Sequence, residues 1–209
     1  MGFYERYICP HISKVVNQGK ALQPMRHRVV SKAQGVVLEI GVGTGSNFPH
    51  FDSQKVTKLY ALEPAPGMLK LARREAVGRP FPIEFLDLPG ERIPLADHSV
   101  DTVVTTFTLC TIPEVVTALQ GMARVLKPDG ELLFCEHGEA PDANVRRWQK
   151  RMEPIHGRIF PGCHLMRRIP DLIEQGGFTI RAMDREYAAE FPRFLRFMSY
   201  FYEGIATTS

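Results

Sequence analysis

Residues 36–47 read Val-Val-Leu-Glu-Ile-Gly-Val-Gly-Thr-Gly-Ser-Asn, and this stretch decides the fold class. Its first five residues form a short, almost wholly apolar run, which is typical of a strand that is covered on both faces of a parallel sheet. Three glycines then follow at alternate positions, namely Gly41, Gly43 and Gly45. Because glycine has no Cβ, it permits a tight turn and lets backbone N–H groups approach a ligand closely. The stretch therefore predicts a buried strand that leads into a ligand-binding loop.

The spacing of these glycines separates two classes of ligand. A dinucleotide-binding loop has the pattern G-x-G-x-x-G and would require glycine at position 46, where the sequence has Ser46. The pattern here is E-x-G-x-G-x-G, and it begins at Glu39 on the strand end. Glu63 follows the second predicted strand, where a carboxylate can accept hydrogen bonds from both hydroxyls of a ribose. The acid position is thus shared with dinucleotide enzymes, whereas the glycine spacing is not.

Strand-like and helix-like segments alternate along the chain after this loop. The strand candidates are residues 36–40, 56–62, 83–88, 100–106, 131–136, 178–184 and 197–206. The helix candidates between them are residues 65–77, 113–126, 142–155 and 168–175. This alternation predicts an α/β fold, a doubly wound and mostly parallel Rossmann-like sheet of seven strands with helices on both faces. We expect one domain, residues 1–209, with a helical N-terminal cap at 1–35 on a Rossmann-like core at 36–209.

The cap is expected to contain two amphipathic helices. The first would bury Tyr4, Ile8, Ile12 and Val15, which fall near helical spacing. The second carries an apolar stripe made of Leu22, Met25, Val29, Val30 and Ala33. The cap holds a charge of +5, against −5 for residues 36–140 and +3 for residues 141–209. We interpret its basic residues as solvated helix faces, and contact with an anionic membrane surface is the alternative.

Periodicity also predicts which side chains of two later segments are buried. In the helix at 142–155 the inward face would comprise Val145, Trp148, Met152 and Ile155. The basic residues of 146–151 would then form a solvated face, and we predict no nucleic-acid partner. In the last strand, alternation with period two would bury Phe197 and Phe201 and expose Tyr200 and Tyr202.

Thiols and imidazoles are scattered along the chain. The four cysteines, Cys9, Cys110, Cys135 and Cys163, include no Cys-x-x-Cys pair and read as reduced thiols of a cytoplasmic protein. Cys163-His164 and His156 suggest a metal, but no fourth ligand has suitable spacing, so no metal site is predicted. His137 follows the fifth predicted strand, where this fold opens its site. It is either a catalytic residue, in contact with the substrate or its proton, or an ordinary polar histidine of a loop.

Three motifs together resemble the class I S-adenosylmethionine-dependent methyltransferases over residues 35–137. They are the glycine loop, Leu62-Glu63-Pro64 and the Lys127-Pro-Asp-Gly130 turn before the fifth predicted strand. A closer likeness, to the methyltransferase-like-seven group, rests on Leu88-Pro-Gly-Glu91, Ser99-Val-Asp-Thr-Val-Val, Thr108-Leu-Cys110, Cys135-Glu-His137 and Gly162-Cys-His-Leu165. The animal members of that group are membrane-associated thiol S-methyltransferases with a hydrophobic N-terminal anchor. The sequence shows no such anchor, so we expect a cytoplasmic location, with peripheral membrane contact as the alternative.

The resemblance implies a cofactor, S-adenosylmethionine with S-adenosylhomocysteine as its product, and a set of residues that hold it. The glycines wrap the methionine and ribose part, Glu39 lies near the ammonium, Glu63 holds the ribose, and Pro64 and Met68 flank the adenine. Many relatives hold the adenine amino group with an aspartate after the third strand, where this sequence has Pro89, so Gly90 and Glu91 take its place. Thr106 and Phe107 lie near the methyl group. The implied cofactor-binding residues are Glu39, Gly41, Gly43, Gly45, Asn47, Glu63, Pro64, Met68, Gly90, Glu91, Thr106 and Phe107.

The same resemblance implies an enzyme that methylates a small, lipophilic acceptor such as a thiol. Methyl transfer to a thiol mainly requires alignment and exclusion of water, because the ordinary pKa of a thiol is about 8.5 and a weak base suffices. The alternatives are methylation of a phospholipid head group or a quinone precursor, and a non-catalytic cofactor-binding protein. We expect the cap to close the cofactor mouth as a lid, with Tyr4 or Tyr7 near the methyl end, rather than to pack on the far side of the sheet.

Overall fold

The computed structural model describes residues 3–209, apart from the side chains of residues 5 and 6. The strands are β1 (Gly35–Ile40), β2 (Val56–Leu62), β3 (Ile83–Leu86), β4 (Val100–Thr106), β5 (Leu126–His137), β6 (Phe178–Tyr187) and β7 (Tyr200–Thr208). The α-helices are α1 (Cys9–Asn17), α2 (Gln23–Val30), α3 (Pro66–Glu75), α4 (Val115–Val125), α5 (Ala143–Ile159) and α6 (Ile169–Gln175). A π-helical turn at Tyr4–Ile8 precedes α1, and 3-10 turns lie at Phe48–His50 and Arg193–Met198.

The strands form one sheet in the order β3-β2-β1-β4-β5-β7-β6. All neighbours are parallel except β7, which runs antiparallel to both β5 and β6. The predicted doubly wound, mostly parallel Rossmann-like sheet is thus confirmed. Strand order reverses between β1 and β4, and ligands of such sheets bind at the carboxyl ends of the strands at this reversal.

The side chains of β1 alternate between two apolar layers. Leu38 and Ile40 belong to the layer that contains α4 and α6, whereas Val37 packs into the layer that contains α2 and α3. Both faces of the sheet are therefore covered, which explains why residues 36–40 are apolar almost without interruption. The sheet holds its strand ends rigidly, and these ends support the site described below.

The cap follows its predicted outline with one difference in the first helix. The apolar stripe of α2 is buried as expected, from Leu22 to Ala33. In α1, however, Val15 is 75% exposed, and the buried residues are Cys9, Pro10 and Ser13. The expected burial of Val15 is wrong, and so is that of Ile8, which is 42% exposed just before α1, because this segment turns a smaller and more polar face toward the molecule. None of the helices built by the described residues combines the length and apolar character needed to cross a membrane.

The inward face of α5 is polar, which contradicts the predicted burial of Trp148 and Ile155. Trp148 is 55% exposed and Ile155 is 48% exposed, whereas Gln149 and His156 are buried. The Gln149 side chain accepts a hydrogen bond from the N–H of Ala140 and donates to two backbone carbonyls. The helix thus packs on loop backbone, where an amide satisfies polar groups that an indole cannot.

The expected alternation along the last strand is also wrong. Tyr200, Phe201 and Tyr202 are all buried. The reason is topological, because β7 lies inside the sheet and both of its faces are covered. The hydroxyl of Tyr202 donates a hydrogen bond to the carbonyl of Glu139, which satisfies this buried polar group.

Candidate active site

A cavity of about 430 Å³ lies at the carboxyl ends of β1, β2, β4 and β5, where the strand order reverses. The glycine loop (residues 41–47) forms one wall, and the cap covers the cavity with Cys9, Ser13, Val16, Asn17, Leu22 and Arg26. Of the residues named from the sequence, those that line the cavity are Gly41, Gly43, Glu63, Pro64, Met68, Gly90, Glu91, Thr106, Phe107 and His137. Glu39, Gly45 and Asn47 lie behind this lining.

The glycines of the loop serve different purposes. Gly41, Gly43 and Gly45 all have a positive φ, between 55° and 82°. A Cβ on Gly41 would lie 2.4 Å from Thr108 Cγ2, and one on Gly45 would lie 2.8 Å from the Phe48 ring, so both positions require close packing. A Cβ on Gly43 would meet nothing closer than a carbonyl oxygen at 3.9 Å. The space above Gly43 belongs to the cavity and is available to a ligand.

Glu63 fastens the loop to the end of β2. Its Oε2 accepts a hydrogen bond of 3.0 Å from the N–H of Gly43, and its Oε1 accepts one of 3.0 Å from the N–H of Ala65. Burial raises the pKa of Glu63 to about 7, although these two hydrogen bonds act in the opposite direction. A fixed carboxylate at this wall suits the hydroxyl groups of a ribose.

Glu39 and Asn47 lie beneath the loop as a hydrogen-bonded pair. Asn47 Nδ2 donates to Glu39 Oε1 and to Thr106 Oγ1, at 2.9 Å in each case. The other carboxylate oxygen of Glu39 is buried and has no hydrogen-bond partner. Burial raises the pKa of Glu39 to about 8, and the hydrogen bond from Asn47 opposes this shift. An unpaired buried carboxylate oxygen is costly unless a ligand completes it.

Arg26 is a part of this site that sequence reasoning missed. Its Nη1 donates to Asn47 Oδ1 at 2.7 Å and to Thr106 Oγ1 at 2.8 Å, and its Nη2 donates to Asn17 Oδ1 at 2.7 Å. The guanidinium also lies 4.5 Å from the centre of the Phe107 ring. Burial lowers the pKa of Arg26 to about 10, so the side chain stays charged. The available signal was a charged residue within the apolar stripe of the second helix, and burial in such a stripe requires polar partners.

Two further segments of the cavity lining follow strands at this edge of the sheet. Pro64 and Met68 follow β2, and Pro89, Gly90 and Glu91 follow β3. Glu91 Oε1 accepts a hydrogen bond of 3.3 Å from the N–H of Glu114, which holds its carboxylate at the rim.

Four thiol and imidazole side chains meet in another part of the cavity lining. Cys163 Sγ lies 3.3 Å from Cys110 Sγ, 3.2 Å from His137 Nε2 and 3.3 Å from His156 Nε2. We call Cys110, His137, His156 and Cys163 the thiol–imidazole cluster; all four residues are buried and all four line the cavity. His164, which the sequence offers beside Cys163 as a possible metal ligand, lies outside this cluster, because its Nδ1 contacts Glu153, 3.0 Å away, on an exposed side of the loop.

The pKa values in the cluster reflect burial and mutual contact. The contact with Cys163, together with burial, raises the pKa of the Cys110 thiol well above its ordinary value. Burial alone would lower the pKa of His137, but the Cys110 sulfur and the Glu136 carboxyl group outweigh it and raise the pKa. Burial and the neighbouring His137 lower the pKa of His156 to about 4.

The cap covers the cavity, but its tyrosines do not enter it. The hydroxyl of Tyr4 donates to the carbonyl of Ile159 at 2.7 Å, and the ring of Tyr7 packs near that of Phe3. Neither tyrosine lines the cavity, so the expected aromatic contact at the methyl end is wrong. Helix α1 presents small and polar side chains to the cavity instead.

Comparison with known proteins places this geometry in a family. Residues 38–134 match the family model described as a methyltransferase domain. The thiol S-methyltransferase TMT1B of Rattus norvegicus is 37% identical over 147 residues, which cover 68% of this chain and 59% of that protein. The phosphatidylethanolamine N-methyltransferase of Cereibacter sphaeroides is 31% identical over 147 residues, which cover 66% of this chain and 71% of that protein. The chain thus spans about three fifths of the thiol S-methyltransferases that it matches.

The solved structures agree on the fold. An S-adenosylmethionine-dependent methyltransferase from Thermotoga maritima superposes with a TM-score of 0.66 at 19% identity, covering 98% of this chain and 97% of that one. The open space above Gly43, the fixed carboxylate of Glu63 and the unpaired oxygen of Glu39 fit S-adenosylmethionine, which carries a ribose and an ammonium group. The chain belongs to the class I S-adenosylmethionine-dependent methyltransferases, and S-adenosylmethionine is its cofactor.

Proposed function

We propose that this chain, acting as one methyltransferase domain with a helical cap, transfers the methyl group of S-adenosylmethionine to a small lipophilic thiol. The observation that carries the proposal is the continuity of the cavity, which runs from the glycine loop to a part where Phe107 and His137 meet Phe201, and Phe160 packs against His156. The likeness to thiol S-methyltransferases, at 33–37% identity, supports the same class of acceptor.

In this proposal, each residue on the cofactor side of the site contacts a particular part of S-adenosylmethionine. Glu63 accepts hydrogen bonds from the ribose hydroxyls, and the backbone of Gly41 and Gly43 allows the methionine part to lie against the loop. Glu39, aided by Asn47, faces the ammonium group from behind the loop. Pro64, Met68, Gly90 and Glu91 enclose the adenine.

The acceptor side supplies alignment and a dry environment. When bound, the cofactor supplies an electrophilic methyl group on a sulfonium, whose departure as a neutral thioether requires no acid. Thr106 and Phe107 position the acceptor beside it, and the cap excludes water. His137 Nε2 lies 3.2 Å from the sulfur of Cys163, so this imidazole already contacts a thiol at the acceptor side of the cavity. His137 thereby serves as the catalytic contact to the acceptor.

A second acceptor class has its own support. The phosphatidylethanolamine N-methyltransferase relative is matched over 71% of its length, and its name gives a phospholipid amine as acceptor. In that case the acceptor would be presented at a membrane surface, and the basic cap would contact anionic lipid.

One assay separates these functions. Release of S-adenosylhomocysteine is measured with a panel of aliphatic and aromatic thiols, a phenol, an amine and vesicles of phosphatidylethanolamine. We expect turnover with lipophilic thiols and a KM that falls as the thiol becomes more apolar. Turnover confined to phosphatidylethanolamine vesicles, and suppressed by high salt, would establish the lipid function instead. Cofactor binding without turnover of any acceptor would contradict both.

A further inference from the structure

The thiol–imidazole cluster has the composition of a transition-metal site. Two thiols and one imidazole form a set of soft and borderline donors, and Cys₂His sites with one open position are known for catalytic zinc. One ligand atom from each of Cys110, His137 and Cys163 lies within 4.8 Å of the other two. His156 Nε2 lies 3.3 Å from Cys163 Sγ and is not a member of this group of three.

The distances suit a metal ion after a small expansion. In a tetrahedral zinc site the ligand atoms are separated by about 3.5–3.8 Å, given bonds of about 2.3 Å to sulfur and 2.0–2.1 Å to nitrogen. The Sγ–Sγ separation of Cys110 and Cys163 is 3.3 Å, and His137 Nε2 lies 3.2 Å from Cys163 Sγ. Both of these pairs need to open by only a few tenths of an ångström, and the third pair, Cys110 and His137, lies within 4.8 Å, so side-chain torsions can supply the change.

The backbone around the cluster is preorganised. His137 ends β5, and Cys110 lies in the turn after β4, so both are held by the central sheet. The loop that carries Cys163 is fastened to this turn, because the N–H of His164 donates to the carbonyl of Cys110 at 3.0 Å. Gly162, with φ of +81°, gives the sharp bend that directs Cys163 inward.

A second observation points to a missing ligand. Within the described residues, His137 Nε2 and His156 Nε2 each meet a thiol sulfur, which is a weak hydrogen-bond partner. If the cluster only filled space, its buried thiol and imidazole groups would lack strong hydrogen-bond partners, which is unfavourable. A cation bound by the thiolates would satisfy it.

We propose that Cys110, His137 and Cys163 bind a zinc ion, whose fourth position faces the cavity and takes the sulfur of the acceptor thiol. Three protein ligands and one open position are the arrangement of catalytic rather than structural zinc. His156, which touches Cys163, is a positioning residue in this scheme. The inference deepens the proposed function and rests on it for the identity of the acceptor.

The resulting step balances without a further reactant. The acceptor thiol binds zinc as a thiolate and releases its proton to water. A lone pair of this sulfur forms a bond to the methyl carbon, while the bond from that carbon to the sulfonium sulfur breaks and its electrons stay on the departing sulfur. The products are a methyl thioether and S-adenosylhomocysteine, and the oxidation state of zinc is unchanged. A neutral thioether binds zinc weakly, so the product leaves.

Metal content and spectroscopy of the full chain test the site without reference to turnover. The protein, purified in reductant without chelator, is incubated with Zn²⁺, freed of excess ion and assayed by elemental analysis. We expect about one zinc per chain, lost at least tenfold in Cys110→Ser and Cys163→Ser. Cys9→Ser is the matched control, because Cys9 is another buried thiol at the same cavity, and it should keep the metal.

Replacement of zinc by Co²⁺ in the unsubstituted chain provides a readout that does not depend on the folding of variants. We expect the strong absorption of a tetrahedral site and a thiolate-to-cobalt charge-transfer band that grows when a lipophilic thiol is added. A chain that binds S-adenosylhomocysteine yet retains no zinc, or that forms a Cys110–Cys163 disulfide instead, would overturn the site.

The two proposals fail in different ways. Thiol methylation that persists in metal-free protein would overturn the zinc site and leave the proposed function standing. If the chain binds stoichiometric zinc but no thiol changes its cobalt spectrum, the acceptor thiol is not the fourth ligand. If only acceptors of another class are methylated, the proposed function is wrong.

Discussion

Arg26 Nη1 in the cap lies 2.8 Å from Thr106 Oγ1 at the end of β4, a residue 80 positions further along the chain. The same nitrogen lies 2.7 Å from Asn47 Oδ1 in the glycine loop. One buried guanidinium therefore joins the cap, the loop and the strand reversal. The cap and the cofactor site are consequently a single structural unit, and a change at Arg26 affects both.

Replacement of Arg26 by lysine should weaken folding and cofactor binding together. One ammonium group cannot reach Asn17, Asn47 and Thr106 at once, so buried acceptors lose their donor, at a cost of about 1–3 kcal/mol each. We expect a clearly lower melting temperature and about tenfold weaker binding of S-adenosylhomocysteine by calorimetry. The control is Arg74→Lys on α3, where the side chain is exposed and the effect should be small. Equal losses in the two variants would refute the special position of Arg26.

Gly43→Ala should abolish much of the cofactor affinity while the fold persists. Gly43 and Gly78 both have a positive φ, and an added Cβ meets nothing within 3.5 Å at either position. The backbone strain is therefore similar, about 1–2 kcal/mol in each variant. Only at Gly43 does the methyl group project toward the cofactor. We expect matched melting temperatures, at least tenfold weaker binding in Gly43→Ala, and unchanged binding in Gly78→Ala. Similar affinities in the pair would show that the cofactor does not lie against Gly43.

Glu63→Ala should cost cofactor affinity more than stability. The loss of two charge-assisted hydrogen bonds to a ribose corresponds to roughly 2–4 kcal/mol of binding free energy. Glu84→Ala, which removes an exposed carboxylate from the neighbouring strand β3, is the control and should bind normally. Calorimetric titration with S-adenosylhomocysteine measures both. An unaltered dissociation constant in a folded Glu63→Ala protein would mean that the ribose is held elsewhere.

Glu39→Gln should stabilise the ligand-free protein at alkaline pH. The pKa of Glu39 is about 8 in the folded state against an ordinary 4.5, so the folded chain retains a proton that the unfolded chain loses. This carboxyl group therefore destabilises the protein progressively as pH rises from about 4.5 to about 8. At about 1.4 kcal/mol per pKa unit, and after an allowance for the new unpaired amide, the gain should be on the order of 2–4 kcal/mol at pH 8.5.

Urea unfolding at pH 5, 7 and 8.5 measures this effect. The difference between Glu39→Gln and the unsubstituted chain should shrink toward zero at pH 5, and the variant should bind the cofactor more weakly at every pH. A stability difference that is independent of pH would show that Glu39 titrates normally.

The first helix should behave as a ligand-dependent cover. Cys9, Ser13, Val16 and Asn17 line the cavity, so bound S-adenosylhomocysteine should protect the amides of residues 3–16 from hydrogen exchange. Deletion of residues 1–18 should abolish turnover while the sheet remains folded, as measured by circular dichroism. If the hydrogen-exchange rates of residues 3–16 do not change when the ligand binds, or if the deletion variant keeps full activity, this segment is a purely structural element.

The sequence was informative where function and local pattern coincide. The apolar run before Gly41 predicted the central strand, because a strand that is covered on both faces has apolar side chains at successive positions and is therefore easy to recognise. The spacing of the glycines and the acid at Glu63 predicted the cofactor wall, because both follow strands whose carboxyl ends meet at one edge of the sheet.

Sequence reasoning failed where side chains meet across the chain. Cys110 and Cys163 are separated by 53 positions, and no local spacing brings their sulfur atoms to 3.3 Å. Trp148 was expected inside because helical periodicity assumes an apolar partner, whereas α5 packs on loop backbone through Gln149. A local sequence pattern can predict which face of a helix is apolar. Whether that face is buried depends on the groups that pack against the helix, and these come from distant parts of the chain.

The position of β7 governs the order in which the sheet can assemble. Within the described residues, β6 pairs with β7 and with no other strand, yet β6 precedes β7 in the chain. During synthesis β6 thus leaves the ribosome without a partner, and the edge of β5, with Leu132, Leu133 and Phe134, stays open until β7 arrives. An open apolar edge invites pairing with other chains. The nascent protein therefore passes through a vulnerable stage that ends with its last strand, when insertion of β7 completes the sheet in one step.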